Sequence, residues 1–320
     1  MNRLLSGIKP TGQLHLGNYF GAIRQFVDLQ QEYESYVFIA DLHALNQVHD
    51  AKELRSGITE TLVAYLACGL DPEKVVLFQQ SAVPGHAQLC IILNSIASIG
   101  MLERSHAYKD ALANGKPANV GLFDYPILMA ADILLYEPKV VPVGHDQRQH
   151  LEIAVDLAQR FNHLFGQTFL EPEALILDDV AVVPGTDGRK MSKSYANTIG
   201  LFEEEGDLRK KIMSIVTDSK RPEEPKETAG DTLYALHSLT AGEQLPEITA
   251  RYQQGGIGYK ESKDILFTNL NNFIAPLLKR KKQLLDDPGA LRSILEDGAK
   301  RANSVAQPKI YEVLQKVGAR

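Results

Sequence analysis

The sequence lacks tryptophan, has only two cysteines and contains no long apolar run. Runs such as residues 37–40 and 75–78 are far shorter than the ~20 residues that a helix needs to cross a bilayer, and no secretory signal pattern opens the chain. Cys68 and Cys90 lie in apolar, helical contexts and are too few for a disulfide framework or a four-cysteine metal site. We therefore expect free thiols in a reducing cytoplasm, with no prosthetic group and no iron–sulfur cluster.

Size and charge set further limits. The 320 residues are 44% hydrophobic and 23% charged, enough for one large domain and a smaller one. The net charge of −6 argues against indiscriminate binding to nucleic acid. It leaves room for a specific RNA partner held by a local basic patch.

Short apolar runs alternate with helical patterns in the first half of the chain. The runs predict buried strands at residues 3–8, 36–40, 75–79 and 140–143. The intervening patterns predict helices at residues 18–33, 51–68, 85–93 and 146–164, with Gly69 and Gly166 as C-terminal stops. This alternation indicates an α/β fold with a Rossmann-like parallel sheet, whose ligands bind beyond the carboxyl ends of the strands.

Strand signals stop at about residue 201. The remaining patterns predict helices at residues 207–216, 233–239, 245–252, 260–282 and 288–314. We therefore expect two domains, a sheet-containing one over residues 1–200 and an α-helical C-terminal one over residues 201–320.

No dinucleotide-binding G-x-G-x-x-G and no Walker motif occur in the sequence. Instead, "HLGN" follows the first predicted strand and opens the first predicted helix. Gly17 would admit a ligand close to the backbone, while His15 and Asn18 are neutral donors suited to charge that develops in a transition state. Taken alone, the motif is better explained as a helix cap.

A second motif, "GRKMSKS", lies far downstream, after a predicted strand at residues 181–183 and a turn. Lys190 and Lys193 could reach one pyrophosphate, with hydroxyl donors from Ser192 and Ser194. Lysine loops are usually solvated surface. The combination with "HLGN" in an alternating α/β chain instead favours a phosphate site.

The two motifs resemble the signatures of the class I aminoacyl-tRNA synthetases, and the match to the bacterial type of the tryptophanyl branch is close. "SGIKPTGQLHLGNYFGAIRQ", "MAADILLY", "VPVGHDQRQH", "GRKMSKS" and "VTDS" follow one another in the order of that branch. The resemblance implies activation of tryptophan by ATP and its transfer to the terminal ribose of a tRNA. It places ATP and tryptophan binding in the first domain and anticodon binding in the helical domain.

The resemblance also implies site residues. The catalytic residues would be His15, Asn18, Lys190 and Lys193, and magnesium would be carried by ATP rather than by a protein metal site. ATP would be bound by Lys9, Pro10, Thr11, Gly17, Asn18, Gly144, His145, Asp146, Val183, Lys190, Met191, Ser192, Lys193 and Ser194. An additional ATP-contacting lysine of some relatives aligns with Ala111, and Lys109 or Lys116 is a candidate to replace it.

Asp132 stands in an apolar helical stretch, where an unpaired carboxylate would be costly. It is either a helix cap, part of a solvated face, or an acceptor for a substrate N–H or O–H group. Physical reasoning leaves an indole and a phenol equally acceptable, and the resemblance favours the indole. The tryptophan site that the resemblance implies contains Asp132, Met129, Gln147, Tyr125, His43 and Val143. His43 is nearly as well explained as a core histidine.

Basic clusters at residues 209–211 and 279–282 are candidates for phosphate contacts with a tRNA. The resemblance implies a homodimer, with no membrane partner. Three alternatives stay open at this point: a tyrosyl-specific enzyme of the same class, a nucleotidyltransferase acting on a small metabolite, and a non-enzymatic RNA-binding protein. The third is disfavoured, because the motif histidine, asparagine and both lysines are all present.

Overall fold

A computed structural model describes residues 2–113, 115, 119–142, 144, 148–175 and 182–320. The chain forms two compact units. Unit 1 contains Met1–Gly12, Phe26–Asp178 and Pro288–Arg320, and unit 2 contains Gln13–Gln25 and Asp179–Asp287.

Unit 1 is built on a parallel sheet of five strands within the described residues, in the order β3-β2-β1-β4-β5. Residues Leu5 and Tyr36 are paired between β1 and β2, and Leu4 is paired with Val140 between β1 and β4. The predicted fold class is confirmed. The strands are β1 (Arg3–Ile8), β2 (Glu34–Ile39), β3 (Val76–Gln79), β4 (Val140–Pro142) and β5 (Glu173–Leu175).

Helices pack around this sheet, and most of them share one apolar core with it. The second of them, Ala51–Cys68, has the predicted bounds: the Asp50 side chain accepts a hydrogen bond from the Glu53 N–H at its start, and Gly69 ends it with φ of 110°. The helices of unit 1 are α3 (Asp41–Ala44), α4 (Ala51–Cys68), α5 (Gly85–Asn94), α6 (Ile99–Glu103), α7 (His106–Ala113), α8 (Val120–Tyr136), α9 (Arg148–Phe165) and α14 (Pro288–Lys316).

Unit 2 is helical in its described residues, as predicted for the region after residue 201. Its small core contains Ile248, Tyr252 and Ile257, and the buried hydroxyl of Ser262 joins His237 to Tyr252. Its elements are α1 (Leu16–Asn18), a π-helical turn (Tyr19–Ile23), α10 (Glu205–Met213), α11 (Thr232–Thr240), α12 (Leu245–Gln254) and α13 (Tyr259–Leu285). The boundary between the units falls inside α2 (Arg24–Leu29).

Two element predictions are wrong. The first helical stretch begins at Leu16 and ends at Leu29 rather than spanning residues 18–33, because the Gln30 side chain donates to the Val27 carbonyl and to the Gly69 carbonyl. The predicted strand at residues 181–183 is absent at Val182 and Val183, and Ala181 lies outside the described residues. Strand β5 was not predicted, because its three residues show no apolar alternation.

The compact units divide the chain differently from the predicted domains. Helix α14 belongs to unit 1 because it packs against β3, α5 and α8. The segment Gln13–Gln25 belongs to unit 2, whose other part begins at Asp179. The binding roles assigned to residues 1–200 and 201–320 stay predictions. No helix in the described part of the chain is both long and apolar enough to cross a bilayer.

The packing of α14 on β3 generates a stability prediction. A Cβ atom at Gly298 would lie 1.6 Å from the carbonyl oxygen of Leu77, in the backbone of the edge strand β3. We expect Gly298→Ala to destabilise the protein by about 1–3 kcal/mol, the range measured for overpacked interiors. Thermal unfolding followed by circular dichroism measures this, at roughly 2–4 °C for each kcal/mol.

The matched control is Gly206→Ala in α10, where a Cβ atom would meet nothing within 4 Å. That variant should be neutral or slightly stabilised, because alanine is the better helix former. An unfolding midpoint of Gly298→Ala equal to that of Gly206→Ala would contradict the close approach of α14 to β3.

Candidate active site

The sheet of unit 1 has a topological switch point between β1 and β4, from which the strand order runs outward in both directions. Lys9, Pro10 and Thr11 follow the carboxyl end of β1, where the Thr11 N–H donates to the Lys9 carbonyl at 2.9 Å. Gly144 follows β4. These predicted ATP-site residues therefore stand where open α/β sheets bind ligands. His145 and Asp146 lie outside the described residues.

In unit 2, the "HLGN" segment and the segment after the lysine motif are hydrogen-bonded neighbours. His15 and Gly200 form an antiparallel bridge, the Leu16 N–H donates to the Ile199 carbonyl at 3.0 Å, and the Leu201 N–H donates to the Leu14 carbonyl at 2.9 Å. The structure thus brings together two motifs that are remote in the sequence.

Side chains of the two motifs also approach each other, and Gly17 makes the room. A Cβ atom at Gly17 would lie 2.9 Å from Nδ1 of His15 and 3.6 Å from Cβ of Met191. His15 and Met191 are both buried. Any other residue at position 17 would push the imidazole away or separate the motifs.

The helix-cap interpretation of the motif is correct in part. Oδ1 of Asn18 accepts a hydrogen bond from the His15 N–H at 3.0 Å. Its Nδ2 has no acceptor among the described residues. The capping bond therefore fixes the side chain and leaves the amide N–H groups as donors.

His15 is held in its neutral form. Burial, and second the positive charge of Lys193, lower the pKa of His15 from its ordinary 6.5 to about 4. Nδ1 of His15 has no hydrogen-bond partner among the described residues. An uncharged imidazole beside a lysine can donate a hydrogen bond to a phosphate oxygen without carrying a charge of its own.

The lysine motif closes a tight hairpin. The Met191 N–H donates to the Val183 carbonyl at 2.9 Å, Pro184 and Lys190 form a bridge, and the Gly185 N–H donates to the Arg189 carbonyl at 2.7 Å. The side chain of Met191 points into the interior, whereas Lys190, Lys193 and Ser194 are exposed and Ser192 is half-buried. The donors therefore extend from a loop whose backbone is anchored. The Val183 side chain is buried, and its adenine contact stays a prediction.

Asp132 lies in the interior of α8, in unit 1, and is buried. The two interpretations without a ligand, a helix cap and a solvated face, are therefore wrong. Its Oδ1 accepts from His86 Nδ1 at 2.6 Å and from Gln80 Nε2 at 2.7 Å, and its Oδ2 accepts from His43 Nε2 at 2.8 Å. Burial would raise the pKa of Asp132, but the hydrogen bonds from His43 and His86 outweigh it and lower that pKa.

His43 and Tyr125 extend the Asp132 cluster. Their rings are 6.4 Å apart, and the Tyr125 hydroxyl is hydrogen-bonded to Nε2 of His150. Met129 is half-buried on α8, one turn before Asp132. Of the predicted tryptophan-site residues, Val143 and Gln147 lie outside the described residues.

Sequence reasoning missed His86, Gln80 and His150. Gln80 and His86 are 52 and 46 residues away from Asp132, so no local pattern links them to it. The one available signal was that a buried carboxylate on an apolar helix demands donors from elsewhere.

The two basic clusters differ in their surroundings. All three residues of the first cluster are paired with acids: Arg209 with Asp264, Lys210 with Asp207 and Lys211 with Glu203. In the second, Lys282 pairs with Glu204 and Lys281 lies over the Phe202 ring, but exposed Lys279 and Arg280 have no ion pair among the described residues. The second cluster therefore offers more unneutralised charge.

Lys109 is exposed on α7 and Ala111 is buried. Lys116 lies outside the described residues. A replacement for the ATP-contacting lysine of some relatives thus stays a prediction.

A parallel sheet with a β1/β4 switch point, together with a lysine hairpin bonded to an "HLGN" helix, defines a nucleotide-binding protein of the class I synthetase type. Comparison with known proteins narrows this class. Residues 1–275 match the family described as tRNA synthetases class I (W and Y), and the chain belongs to that family.

The relatives are similar over their full length. A tryptophan–tRNA ligase of Rhodopirellula baltica is 48% identical, with 99% of this chain and 100% of the relative covered. One of Fusobacterium nucleatum is 45% identical, with 99% and 98% covered. The crystal structure of tryptophanyl-tRNA synthetase from Campylobacter jejuni with ADP and tryptophan matches with a TM-score of 0.91 and 43% identity, covering 99% of both chains.

The electrostatics of His15 generate a titration prediction. In NMR spectra of protein with isotope-labelled histidine, His15 should titrate with a midpoint near pH 4, as should buried His237, whose pKa burial lowers to about 4. Because the folded pKa of His15 lies below its unfolded value, this group destabilises the fold as the pH falls from about 6.5 to 4.

Lys193→Ala should raise the midpoint of His15, because it removes the second cause of the lowered pKa. His237 serves as the internal control, since Lys193 is not among the causes of its shift. If the His15 midpoint did not move in this variant, the two motifs would not be coupled electrostatically.

Proposed function

We infer that the chain is a tryptophan–tRNA ligase. It joins L-tryptophan to ATP, releasing pyrophosphate and forming tryptophanyl-adenylate, and then transfers the tryptophanyl group to the 3′-terminal ribose of its tRNA. The observation that carries this inference is the backbone bonding of the "HLGN" helix to the segment that follows the lysine hairpin. Full-length relatives named tryptophan–tRNA ligase support it.

The first step is an attack of the tryptophan carboxylate on the α-phosphorus, with pyrophosphate as leaving group. Such a reaction depends on positioning and on stabilising the charge that develops. We propose that Lys190 and Lys193 bind the leaving pyrophosphate, because both are exposed cations on an anchored loop. His15 and Asn18 would supply neutral donors to the phosphate oxygens.

We propose that the other predicted residues hold the rest of ATP. Lys9, Pro10, Thr11 and Gly144 would do so from the switch point of the sheet. Gly17, Met191, Ser192 and Ser194 belong to the two bonded motifs. His145, Asp146 and Val183 keep the roles that the family resemblance implies.

Magnesium is proposed to accompany ATP. Among the described residues no three His, Cys, Asp or Glu side chains are grouped as a metal site. The lysine hairpin presents donors, which suit phosphate rather than a cation, so the triphosphate oxygens would be the ligands. The ion would neutralise charge on the phosphates.

Tryptophan is proposed to bind at the Asp132 cluster. Three donors occupy the Asp132 carboxylate, two on Oδ1 and one on Oδ2, so Oδ2 retains a lone pair for an indole N–H. Met129, Tyr125 and His43 lie on or beside this cluster. Gln147 and Val143 complete the proposed site.

We also propose partners for this enzyme. Lys279 and Arg280 are the exposed cations that we assign to tRNA phosphates.

Helices α5, α6 and α8 of unit 1 expose Ile91, Ile99 and Val120 by 72%, 68% and 81%. We propose that a second copy covers these exposed apolar side chains in a homodimer, and that the enzyme works in the cytoplasm.

The lysine hairpin is tested by Lys193→Ala. We expect tryptophan-dependent pyrophosphate exchange to slow by about two to three orders of magnitude, as for the loss of one transition-state donor. Lys300→Ala, at an exposed lysine of α14, is the matched control and should exchange at the wild-type rate. A near-normal turnover number for Lys193→Ala would exclude the hairpin from the reaction.

Substrate choice is tested at Asp132. Wild-type enzyme should prefer tryptophan over the analogue with sulfur in place of the indole N–H by at least about 100-fold in kcat/KM, because that analogue leaves the carboxylate unpaired. Asp132→Asn should reduce this preference about tenfold or more. Tyrosine should not support exchange.

The control for this measurement is Asp41→Asn, since Asp41 is also buried and bonded to Gln79 and Ser81. It should keep the wild-type preference. An unchanged preference in Asp132→Asn would remove Asp132 from indole recognition.

A further inference from the structure

A buried asparagine lies between the two arms of the lysine hairpin. Asn197 is 2% exposed, although it stands in a loop of otherwise largely exposed residues. A buried amide is costly unless it is fully hydrogen-bonded, so its partners show what the position requires.

Within the described part of the chain, the side chain and the carbonyl of Asn197 bond only the hairpin. Its Oδ1 accepts from the Ser192 N–H at 2.8 Å, and its Nδ2 donates to the Lys190 carbonyl at 3.2 Å. The same Nδ2 donates to Oδ1 of Asp187 at 2.6 Å, and the Asn197 carbonyl accepts from the Thr186 N–H at 3.0 Å. One residue therefore joins the turn of the hairpin to the backbone on both sides of Met191.

The side chain of Asn197 bonds the hairpin backbone and not the side chains of the two motif lysines. Asn197 bonds the backbone of Lys190 and Ser192, and no hydrogen bond links it to Nζ of Lys190 or Lys193. The fit is close: a Cβ atom at Gly185 would lie 2.2 Å from Nδ2 of Asn197.

Asp187 is the second half of this arrangement. Besides Asn197, it accepts from the Arg189 backbone N–H at 3.1 Å and pairs with the Arg189 guanidinium at 2.6 Å. The hydrogen bond from Asn197 is the first cause of the lowered pKa of Asp187. The carboxylate thus takes the basic Arg189 and one amide hydrogen of Asn197, and neither of these bonds involves a motif lysine.

We propose that Asn197, through its bond to Asp187 and to the backbone at Lys190 and Ser192, is the positioning residue of the lysine hairpin. It sets the backbone from which the two lysines reach pyrophosphate. This proposal rests on the proposed function, in which those lysines bind the leaving group.

The test begins with Asn197→Asp, which keeps the acceptor for Ser192 but sets a second carboxylate against Asp187 and the Lys190 carbonyl. We expect kcat/KM for ATP in pyrophosphate exchange to fall about 10- to 100-fold, the range for an unpaired buried group. The Kd of tryptophan should stay at its wild-type value. Because the chain contains no tryptophan, all indole fluorescence in that measurement comes from the ligand and none from the protein.

The decisive variant is the reciprocal exchange Asp187→Asn with Asn197→Asp. It rebuilds the bond between the two positions with donor and acceptor reversed, so most of the lost kcat/KM for ATP should return. A merely structural loss at position 197 would not be repaired by a second substitution at 187.

Asn162→Asp provides the matched control. Asn162, in unit 1, also closes a loop, since its Oδ1 accepts from the Thr168 and Phe169 N–H groups and its Nδ2 donates to the Phe169 carbonyl. It should lower the thermal midpoint without changing kcat/KM for ATP. Hydrogen–deuterium exchange of residues 185–198 should accelerate in Asn197→Asp only, and should return to the wild-type rate in the double variant.

Three results would overturn the proposal: wild-type kcat/KM for ATP in Asn197→Asp, no recovery in the double variant, or unchanged exchange in residues 185–198. Failure of the proposed function gives a different pattern, in which wild-type protein itself shows no pyrophosphate exchange. Deuterium exchange of the hairpin then still decides whether Asn197 orders it.

Discussion

The bonding of the "HLGN" helix to the segment after the lysine hairpin is the constraint on which unit 2 depends. A bridge between His15 and Gly200 and a buried Met191 hold the two motifs together. This contact also determines the electrostatics, because it buries the imidazole near Lys193 and keeps it neutral. The two motif lysines are therefore the cationic groups that we assign to the leaving pyrophosphate, while the donors at the helix are uncharged.

In unit 1 the corresponding constraint is a buried carboxylate inside an apolar helix. Asp132 could be buried only with donors on both oxygens, and His43, His86 and Gln80 provide them. The three bonds leave one acceptor position on Oδ2, which we propose accepts the indole N–H. In that proposal a ring without a polar hydrogen is rejected, since binding it would leave the position desolvated and unpaired.

The parts of the fold that were predictable from the sequence are those with local signals. The strand β1 and helix α4 were predicted residue for residue. A short, largely apolar segment marks β1, and Asp50 and Gly69 flank α4. The strand β5 and the early end of the first helix were not predictable, since pairing with β4 and the Gln30 side chain decide them. In the same way the motifs were recognisable, but the partners of Asp132 and the role of Asn197 depend on contacts that only the folded chain creates.

The hydrogen bonds that the hairpin needs determine which residue fits at position 197. Its arms need one acceptor and two donor positions, at Ser192 N–H, the Lys190 carbonyl and Asp187. A lysine or arginine there could donate but could not accept, and an aspartate could accept but could not donate to Asp187 or to the Lys190 carbonyl. A neutral amide meets all three demands without adding charge. In the proposed reaction, the hairpin would thus be ordered before ATP binds, without an added negative charge at position 197.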